Sequence, residues 1–312
     1  MQDWPILKEL WQSQCHPKNS SSSSSANSTW LRQRQALYAN HITHPLALQF
    51  LLQERPSLAA FQAWIADTSA QYQLLDATAD QDENAHQLST QQLAFWQEHG
   101  YLVLPKVIDT AACVASRDAI WGFLGASPDR VSSWYDHAYC DKGLMLPLYN
   151  HPRLNTNRAS KRIRAAYAQL YGNDAIYKTI DHVSFNPPET ASFSFRGNGL
   201  HWDVSLAHAI PERFQGLLYL SDCNENDGAF HCVPGFHHEI AHWLSKLPPN
   251  TDARQFAAQT LQARAITGKA GDFIIWHQAL PHCATPNRGQ TPRMVQYLSY
   301  LPEHGIEHSV WI

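Results

Sequence analysis

From Asp181 to Leu301 the sequence is cut into short runs that constrain the fold more than anything else in the chain. Asp181-His182-Val183-Ser184-Phe185 and Ser192-Phe193-Ser194-Phe195 alternate polar with apolar residues, the period-two pattern of a strand with one buried face. Gly216-Leu217-Leu218-Tyr219-Leu220 is a continuous apolar run, and Asn224-Glu225-Asn226-Asp227-Gly228 after it has turn-forming composition. Runs at 229–233, 272–276 and 294–301 complete the set. Many short strands separated by Gly, Pro and Asn turns predict a sandwich or barrel of the jelly-roll type.

Upstream the pattern changes. Ser89 and Gln92 form a capping box before Leu93, Phe95 and Trp96, with Gly100 as the stop. Tyr101 to Pro105 reads as a strand, and Asp109 caps a helix that runs through Ile120 to Phe123 and ends at Gly125. Residues 126–160 lack periodicity but carry Trp134, Tyr135, His137, Tyr139, Met145 and Tyr149, a long aromatic loop of the kind that covers a pocket. Lys161 to Leu170 is predicted helical.

Before Ser89, apolar residues from Leu31 to Trp64 recur at mixed spacings of three and four, which predicts two or three short amphipathic helices. Ser20 to Ser25 is an unbroken serine run and 76–87 is polar and acidic, both linker-like. The chain therefore divides into a helical N-terminal extension, residues 1–88 with a Ser-rich linker at 19–28, and a main domain, residues 89–312. The expected fold is mainly β with flanking helices (α+β), a jelly-roll core plus the helical extension. The extension offers a surface for packing on the main domain or for self-association.

Charge narrows the partners. The chain has a formal net charge of −4 with His neutral and no block of Lys or Arg, so neither nucleic acid nor an acidic membrane is an expected partner. The first residues lack the basic segment and apolar core of a secretory signal. No apolar run approaches the ~18 residues of a membrane span. The six cysteines are scattered without a C-x-x-C pair, which suits reduced thiols in a cytoplasmic protein.

Two stretches carry chemistry. His201 and Asp203 share one face if Leu200–Val204 is extended, and an imidazole and a carboxylate on one face can hold one divalent cation. A third ligand from downstream would complete the two-His-one-carboxylate facial triad of non-haem Fe(II) oxygenases. Alone the triplet is weak, because 18 His make it expected roughly once by chance. The second stretch, His238-Glu239-Ile240-Ala241-His242, is a literal H-E-x-x-H, which on a helix binds zinc with Glu239 as general base. It is confined between Pro234-Gly235 and Pro248-Pro249, and no metzincin-type third His follows, so a zinc peptidase is the weaker alternative. A third reading is a non-catalytic jelly roll that holds a metal or ligand without turnover.

Gln92 to Pro105 (QLAFWQEHGYLVLP), the His201-x-Asp203 pair, Asn224 to Pro234 (NENDGAFHCVP) and a final His-x(10)-Arg segment occur in that order. Together they resemble the phytanoyl-CoA dioxygenase family of Fe(II)/2-oxoglutarate oxygenases, over roughly residues 89–302. The resemblance implies a double-stranded β-helix (jelly-roll, cupin-like) core. It implies a dioxygenase that hydroxylates a small-molecule substrate while 2-oxoglutarate is decarboxylated to succinate and CO2, with Fe(II), 2-oxoglutarate and O2 as cofactors. Carried over by residue, it implies His201, Asp203 and His282 as metal ligands and Arg293 as the guanidinium that grips 2-oxoglutarate. His282 is preferred to His277 because the family's distal His lies eleven residues before its Arg, as 282 does from 293.

A carboxylate at 203, where related halogenases carry a small residue, implies hydroxylation. The family's serine two residues after the distal His is Ala284 here, with Thr285 beside it, which makes Thr285 and Asn186 candidate cosubstrate contacts. Arg196, Trp134 and Tyr135 are candidate substrate contacts. Arg153, Arg158, Lys161, Arg162 and Arg164 form the one basic group suited to a CoA phosphate. No catalytic residue is expected beyond the metal site.

Overall fold

The structure, a computed structural model, describes residues 3–16, 26–73 and 86–304. The serine run and most of the acidic stretch 76–87 lie outside the described residues. Ala26, Asn27 and Ser28, expected to close the first linker, instead open a helix.

Helices α1 (Trp4–Cys15), α2 (Ala26–Ala39), α3 (His44–Glu54) and α4 (Leu58–Gln73) build a core of their own from Leu7, Leu10, Leu37, Leu51, Phe61 and Ile65. Phe50 stacks on Trp64 with centroids 4.4 Å apart. The bundle docks on the rest of the chain through polar contacts. Asn150 Nδ2 donates to the His41 carbonyl at 2.6 Å, Gln35 Nε2 to the Glu303 carbonyl at 2.8 Å, and Arg34 Nη2 to the Tyr177 hydroxyl at 3.1 Å.

Next come α5 (Thr90–His99), opened by both halves of the Ser89–Gln92 capping box and closed by Gly100 at φ +72°, and β1 (Tyr101–Leu104). Then α6 (Thr110–Leu124) runs from its Asp109 cap to a left-handed Gly125. The stretch 126–160 is less irregular than expected. It holds a 3₁₀ turn at Val131–Trp134, β2 (Met145–Leu146) and α7 (Pro152–Arg158), each too short to leave a periodic signal. Helix α8 (Lys161–Tyr171) follows.

The remaining elements are β3 (Ile176–Lys178), β4 (Val183–Asn186), β5 (Phe214–Tyr219), β6 (Phe230–Cys232), α9 (Phe236–Ser245), α10 (Ala253–Thr260), β7 (Arg264–Ile266), β8 (Phe273–His277), β9 (His282–Ala284), β10 (Arg293–Tyr297) and β11 (Tyr300–Pro302). A six-stranded sheet has the order β1-β8-β5-β10-β4-β2, and a three-stranded one the order β7-β6-β9; every pairing is antiparallel. Strands β11 and β3 make a separate ribbon. The described residues thus hold ten helices and eleven strands, a mixed α/β structure with antiparallel sheets rather than a mainly β one.

Strand alternation sorts the core into two layers. Leu217, Tyr219, Ile274, Trp276 and Val295 face Phe230, Cys232 and Ile266 of the smaller sheet. Their neighbours Leu218, Phe273, Ile275 and Met294 pack on the other side against Ile120, Ile163 and Tyr167 of the helices. Gly216 marks a crowded point in β5, since a Cβ there would sit 2.7 Å from the Leu298 carbonyl oxygen and 2.5 Å from the Tyr167 hydroxyl. No described helix is long and apolar enough to cross a membrane.

Two expected strands are absent. Residues 190–193 form a turn in which Thr190 Oγ1 accepts from the Ser192 and Phe193 amides at 3.3 and 3.1 Å, capturing donors a sheet would need, and 194–195 follow it without regular structure. Residues 200–204 are not a strand either; His201 makes one isolated bridge and the chain then bends away.

Candidate metal centre and its cavity

That single bridge pairs His201 with His282. The His201 amide donates to the His282 carbonyl at 3.0 Å and the His282 amide to the His201 carbonyl at 2.9 Å. His282 opens β9, next to β6 in the smaller sheet. Between His201 and Asp203, Trp202 is buried at 2 % exposure against Phe236 and Trp243, with Nε1 donating to the Ala279 carbonyl at 2.8 Å. Arg254 on α10 donates to the Trp202 and Val204 carbonyls at 2.6 and 2.9 Å and so fixes the bend. With Trp202 anchored inward, its two neighbours are turned together.

His201, Asp203 and His282 converge: one ligand-capable atom from each lies within 4.8 Å of the others, the one such group of three among the described residues. His201 Nδ1 is 2.7 Å from the Gly199 carbonyl and His282 Nδ1 is 3.0 Å from the Leu280 carbonyl. A carbonyl only accepts, so both rings carry their proton on Nδ1. Both Nε2 lone pairs then face Asp203, at 3.5 Å from Oδ1 for His201 and 3.2 Å from Oδ2 for His282. Three acceptors aimed at a common point repel one another unless a cation joins them. Two imidazoles and one carboxylate are the donor set of a facial non-haem iron site.

The electrostatics agree. Burial opposes charge on Asp203, but hydrogen bonding, from His282 when its Nε2 is protonated and from the Gln215 amide, outweighs it and holds the carboxyl well below the usual range. Burial, then the neighbouring His282, lowers the His201 pKa and keeps that ring neutral, the form that ligates. Gln215 Nε2 donates to Asp203 Oδ2 at 2.8 Å. Gln215 and Arg254 were not singled out in the sequence. Their partners, a carboxylate and two backbone carbonyls, meet them only through tertiary packing.

The three residues open into a cavity of about 500 Å³. Arg293, at the start of β10, reaches the same cavity. It is 1 % exposed, and its Nη2 donates to Ser184 Oγ at 3.2 Å. Its Nε and Nη1 are buried without a hydrogen-bond partner. Arg196 also lines the cavity, paired with Asp141 at 3.1 Å.

Other expected contacts fall elsewhere. Trp134 is a core residue, tilted against Trp121 with Nε1 donating to the Ser127 carbonyl at 2.9 Å. The Tyr135 hydroxyl donates to the Pro188 carbonyl at 3.0 Å. Neither lines the cavity; from the aromatic loop, Lys142, Gly143, Leu144 and Met145 do. Asn186 and Thr285 are turned to backbone carbonyls and do not line the cavity. Asn186 Nδ2 donates to the Thr285 carbonyl at 3.0 Å and Thr285 Oγ1 to the Ala229 carbonyl at 3.2 Å.

His277 ends β8 beside His237, with ring centroids 5.5 Å apart, away from the trio. The H-E-x-x-H segment does lie on a helix, α9, but His238 Nε2 is 2.6 Å from the Gln97 carbonyl, and no third ligand joins it among the described residues. The basic group at 153–164 is dispersed. Arg158 is 1 % exposed, Arg162 donates to the Pro105 carbonyl at 2.7 Å, and Arg164 pairs with Asp174 at 3.4 Å.

A family model described as Phytanoyl-CoA dioxygenase (PhyH) matches residues 96–295. A Dictyostelium discoideum protein named "Putative phytanoyl-CoA dioxygenase" is 22% identical over 261 residues, 67% of this chain and 74% of that protein. Among solved structures, EvdO2 from Micromonospora carbonacea var. aurantiaca superposes with a TM-score of 0.51 at 17% identity, over 72% of this chain and 95% of that one. The epimerase SnoN, solved with Fe3+, alpha ketoglutarate and nogalamycin RO, superposes with a TM-score of 0.50 at 18% identity, over 68% and 82%. At these identities the structural likeness shows a shared fold.

Proposed function

This chain belongs to the phytanoyl-CoA dioxygenase family, and from that premise we propose that it hydroxylates a small organic molecule, with Fe(II) on His201, Asp203 and His282 and 2-oxoglutarate on Arg293. Its class is that of the 2-oxoglutarate-dependent non-haem iron enzymes. We read the six- and three-stranded antiparallel sheets, closed on a common core, as the two halves of a double-stranded β-helix. Six free thiols suit a cytoplasmic setting.

One observation carries the proposal: a buried guanidinium, two of whose nitrogens lack partners, opens into the same cavity as the three converging ligands. A planar fork of donors in that position matches a carboxylate bidentately and keeps its charge at any working pH. When bound, iron and 2-oxoglutarate supply O2 activation coupled to decarboxylation to succinate and CO2. The chain's own residues set the frame for that chemistry. The Gly199 and Leu280 carbonyls hold both rings in the ligating tautomer. Gln215 orients the Asp203 carboxylate. Trp276 and Phe230, with centroids 5.2 and 5.8 Å from the His282 ring, cover that ligand and keep water from its flank.

The test is an anaerobic titration with Fe(II) and 2-oxoglutarate, followed by O2 and counting of succinate across a substrate panel. One equivalent of each should bind, and Asp203→Ala should lose both metal and succinate. Tight 2-oxoglutarate binding that needs neither iron nor Arg293 would defeat the proposal.

A further inference from the structure

Away from the three converging ligands, the cavity floor is the inner face of the large sheet. In strand order that face presents Trp276 on β8, Gln215 on β5, Tyr297 on β10, His182 just before β4 and Met145 on β2, and all five line the cavity. Trp276 and Gln215 are register partners. The β10–β4 ladder runs one step past Gln296 and Val183, where the Tyr297 amide donates to the His182 carbonyl at 3.1 Å. Tyr297 and His182 therefore stand opposite each other, with Cβ atoms about 5 Å apart. Gln215 holds Asp203 at the metal end, and His182 lies two strands farther across the floor, roughly 10 Å away.

Three of these residues carry a polar atom that the protein leaves without a partner. Gln215 uses Nε2 on Asp203, and its Oε1 is buried with no hydrogen bond. His182 uses Nε2 on the Tyr149 hydroxyl, 2.8 Å away, which leaves Nδ1. The Tyr297 hydroxyl has no partner among the described residues. Burial, opposed by the Asp181 charge, lowers the His182 pKa and keeps the ring neutral. A phenol is a stronger acid than a neutral imidazole N–H, so Tyr149 donates to Nε2 and the ring's own proton sits on Nδ1. The floor thus offers an acceptor at Gln215, a donor at His182 and a hydroxyl of either sense at Tyr297.

The charges of the lining are engaged elsewhere. Arg196 pairs with Asp141 at 3.1 Å, and Asp181 accepts from the Thr179 hydroxyl and faces the buried Arg158. Lys142 Nζ stands 5.2 Å from the Tyr139 ring centroid. Long aliphatic side chains are confined to Leu144 and Met145.

We propose that the cavity takes an uncharged, hydroxyl-rich ring compound, a sugar or cyclic polyol, laid across the floor from Gln215 to the His182–Tyr297 pair, with Tyr149 as the positioning residue that fixes the His182 donor. A hydroxyl both donates and accepts, so hydroxyls around one or two rings meet all three atoms. An acyl chain would leave those atoms unpaired, and a carboxylate or phosphate would meet Gln215 Oε1 and Asp181 as acceptor against acceptor. This deepens the proposed hydroxylation and rests on it only for the statement that the Gln215 end of the ligand meets the iron.

The experiment titrates the full chain calorimetrically with methyl α-D-glucopyranoside, trehalose and octanoyl-CoA, anaerobically with Fe(II), with and without saturating 2-oxoglutarate. At least one of the two sugars should bind stoichiometrically, with the same affinity at low and high salt, and octanoyl-CoA should not bind. Tyr297→Phe and His182→Phe should each weaken the sugar by about fivefold or more while 2-oxoglutarate affinity holds. Tyr149→Phe should weaken it less, and 15N shifts of the His182 ring in the metal-free protein should then pass from Nδ1-protonated to a mixture of tautomers. Melting curves check folding first; should His182→Phe not fold, Tyr297→Phe carries the test. The proposal is overturned by failure of both sugars to bind the wild type, by tighter binding of octanoyl-CoA, or by unchanged sugar affinity in the Tyr297 and His182 variants. A His182 ring that keeps its tautomer in Tyr149→Phe would strike the part given to Tyr149. Failure of 2-oxoglutarate to bind in the same cell would strike the proposed function and leave the sugar result standing.

Discussion

Arg293→Met separates ligand binding from folding. The wild-type side chain is 1 % exposed, with one hydrogen bond, to Ser184, and two nitrogens lacking partners. Each buried polar group left unsatisfied costs about 1–3 kcal/mol, while the bond to Ser184 contributes roughly 0.5–1.5 kcal/mol. Methionine keeps the apolar stem and removes both effects. The ligand-free protein should therefore hold its stability or gain up to about 2 kcal/mol. The cosubstrate fares differently. Losing one partner of a buried, hydrogen-bonded charge pair costs roughly 2–5 kcal/mol, and at about 1.4 kcal/mol per decade that is a loss of affinity of about 30-fold or more. Arg293→Lys, which keeps the charge and loses the fork, should fall between. Urea denaturation of the metal-free protein gives the first quantity and anaerobic calorimetry with Fe(II) and 2-oxoglutarate the second. Loss of more than about 2 kcal/mol by the Met variant, with unchanged 2-oxoglutarate affinity, would mark the guanidinium as a structural prop and end its assignment to the cosubstrate.

The crowding around Gly216 makes Gly216→Ala destabilising by roughly 1–3 kcal/mol in denaturant melts, because the Leu298 carbonyl cannot yield as a side chain could; a change under about 0.5 kcal/mol would contradict that. His237 and His277 should make the metal-free protein acid-sensitive. Burial first, then neighbouring histidines, lowers both from 6.5 to about 4. Between those values the unfolded chain takes up protons that the folded one refuses, so stability is full above about 6.5 and falls as the pH drops toward 4, by on the order of 2 kcal/mol after solvent screening. The paired variant His237→Asn, His277→Asn should flatten that slope between pH 7 and 4.5, and an unchanged slope would place the acid sensitivity elsewhere. Glu239→Gln, at an exposed position, should leave succinate formation unaltered, and an accompanying loss of peptide hydrolysis would revive the zinc reading.

Signals confined to a few neighbouring residues were legible in the sequence. The Ser89 capping box, the Asp109 cap and the Gly100 and Gly125 stops depend on contacts within one helical turn, and each is where the residue types placed it. The long apolar runs became β5 and β8 for a similar reason. Strands β3, β7 and β9 are three residues each, too short for alternation to register, and their pairing alone defines them. Residues 192–195 alternate like a strand, yet the Thr190 hydroxyl takes the Ser192 and Phe193 amides into a turn. At Leu200–Val204 the sequence proposed a shared face through strand geometry. The chain achieves it by burying Trp202 and clamping the bend with Arg254, a residue fifty or more positions away that no local pattern could nominate. Trp134 and Tyr135 show the opposite limit, since an aromatic loop looks alike whether its rings face a cavity or the core.

The two imidazoles of the trio share a reciprocal pair of amide hydrogen bonds, so their spacing is a property of the backbone and not of the loops that carry them. Grafting this centre into another scaffold would then mean copying a rung of ladder as well as three side chains. A host that supplied the side chains on independently moving loops would have to find that spacing anew at every encounter with a metal.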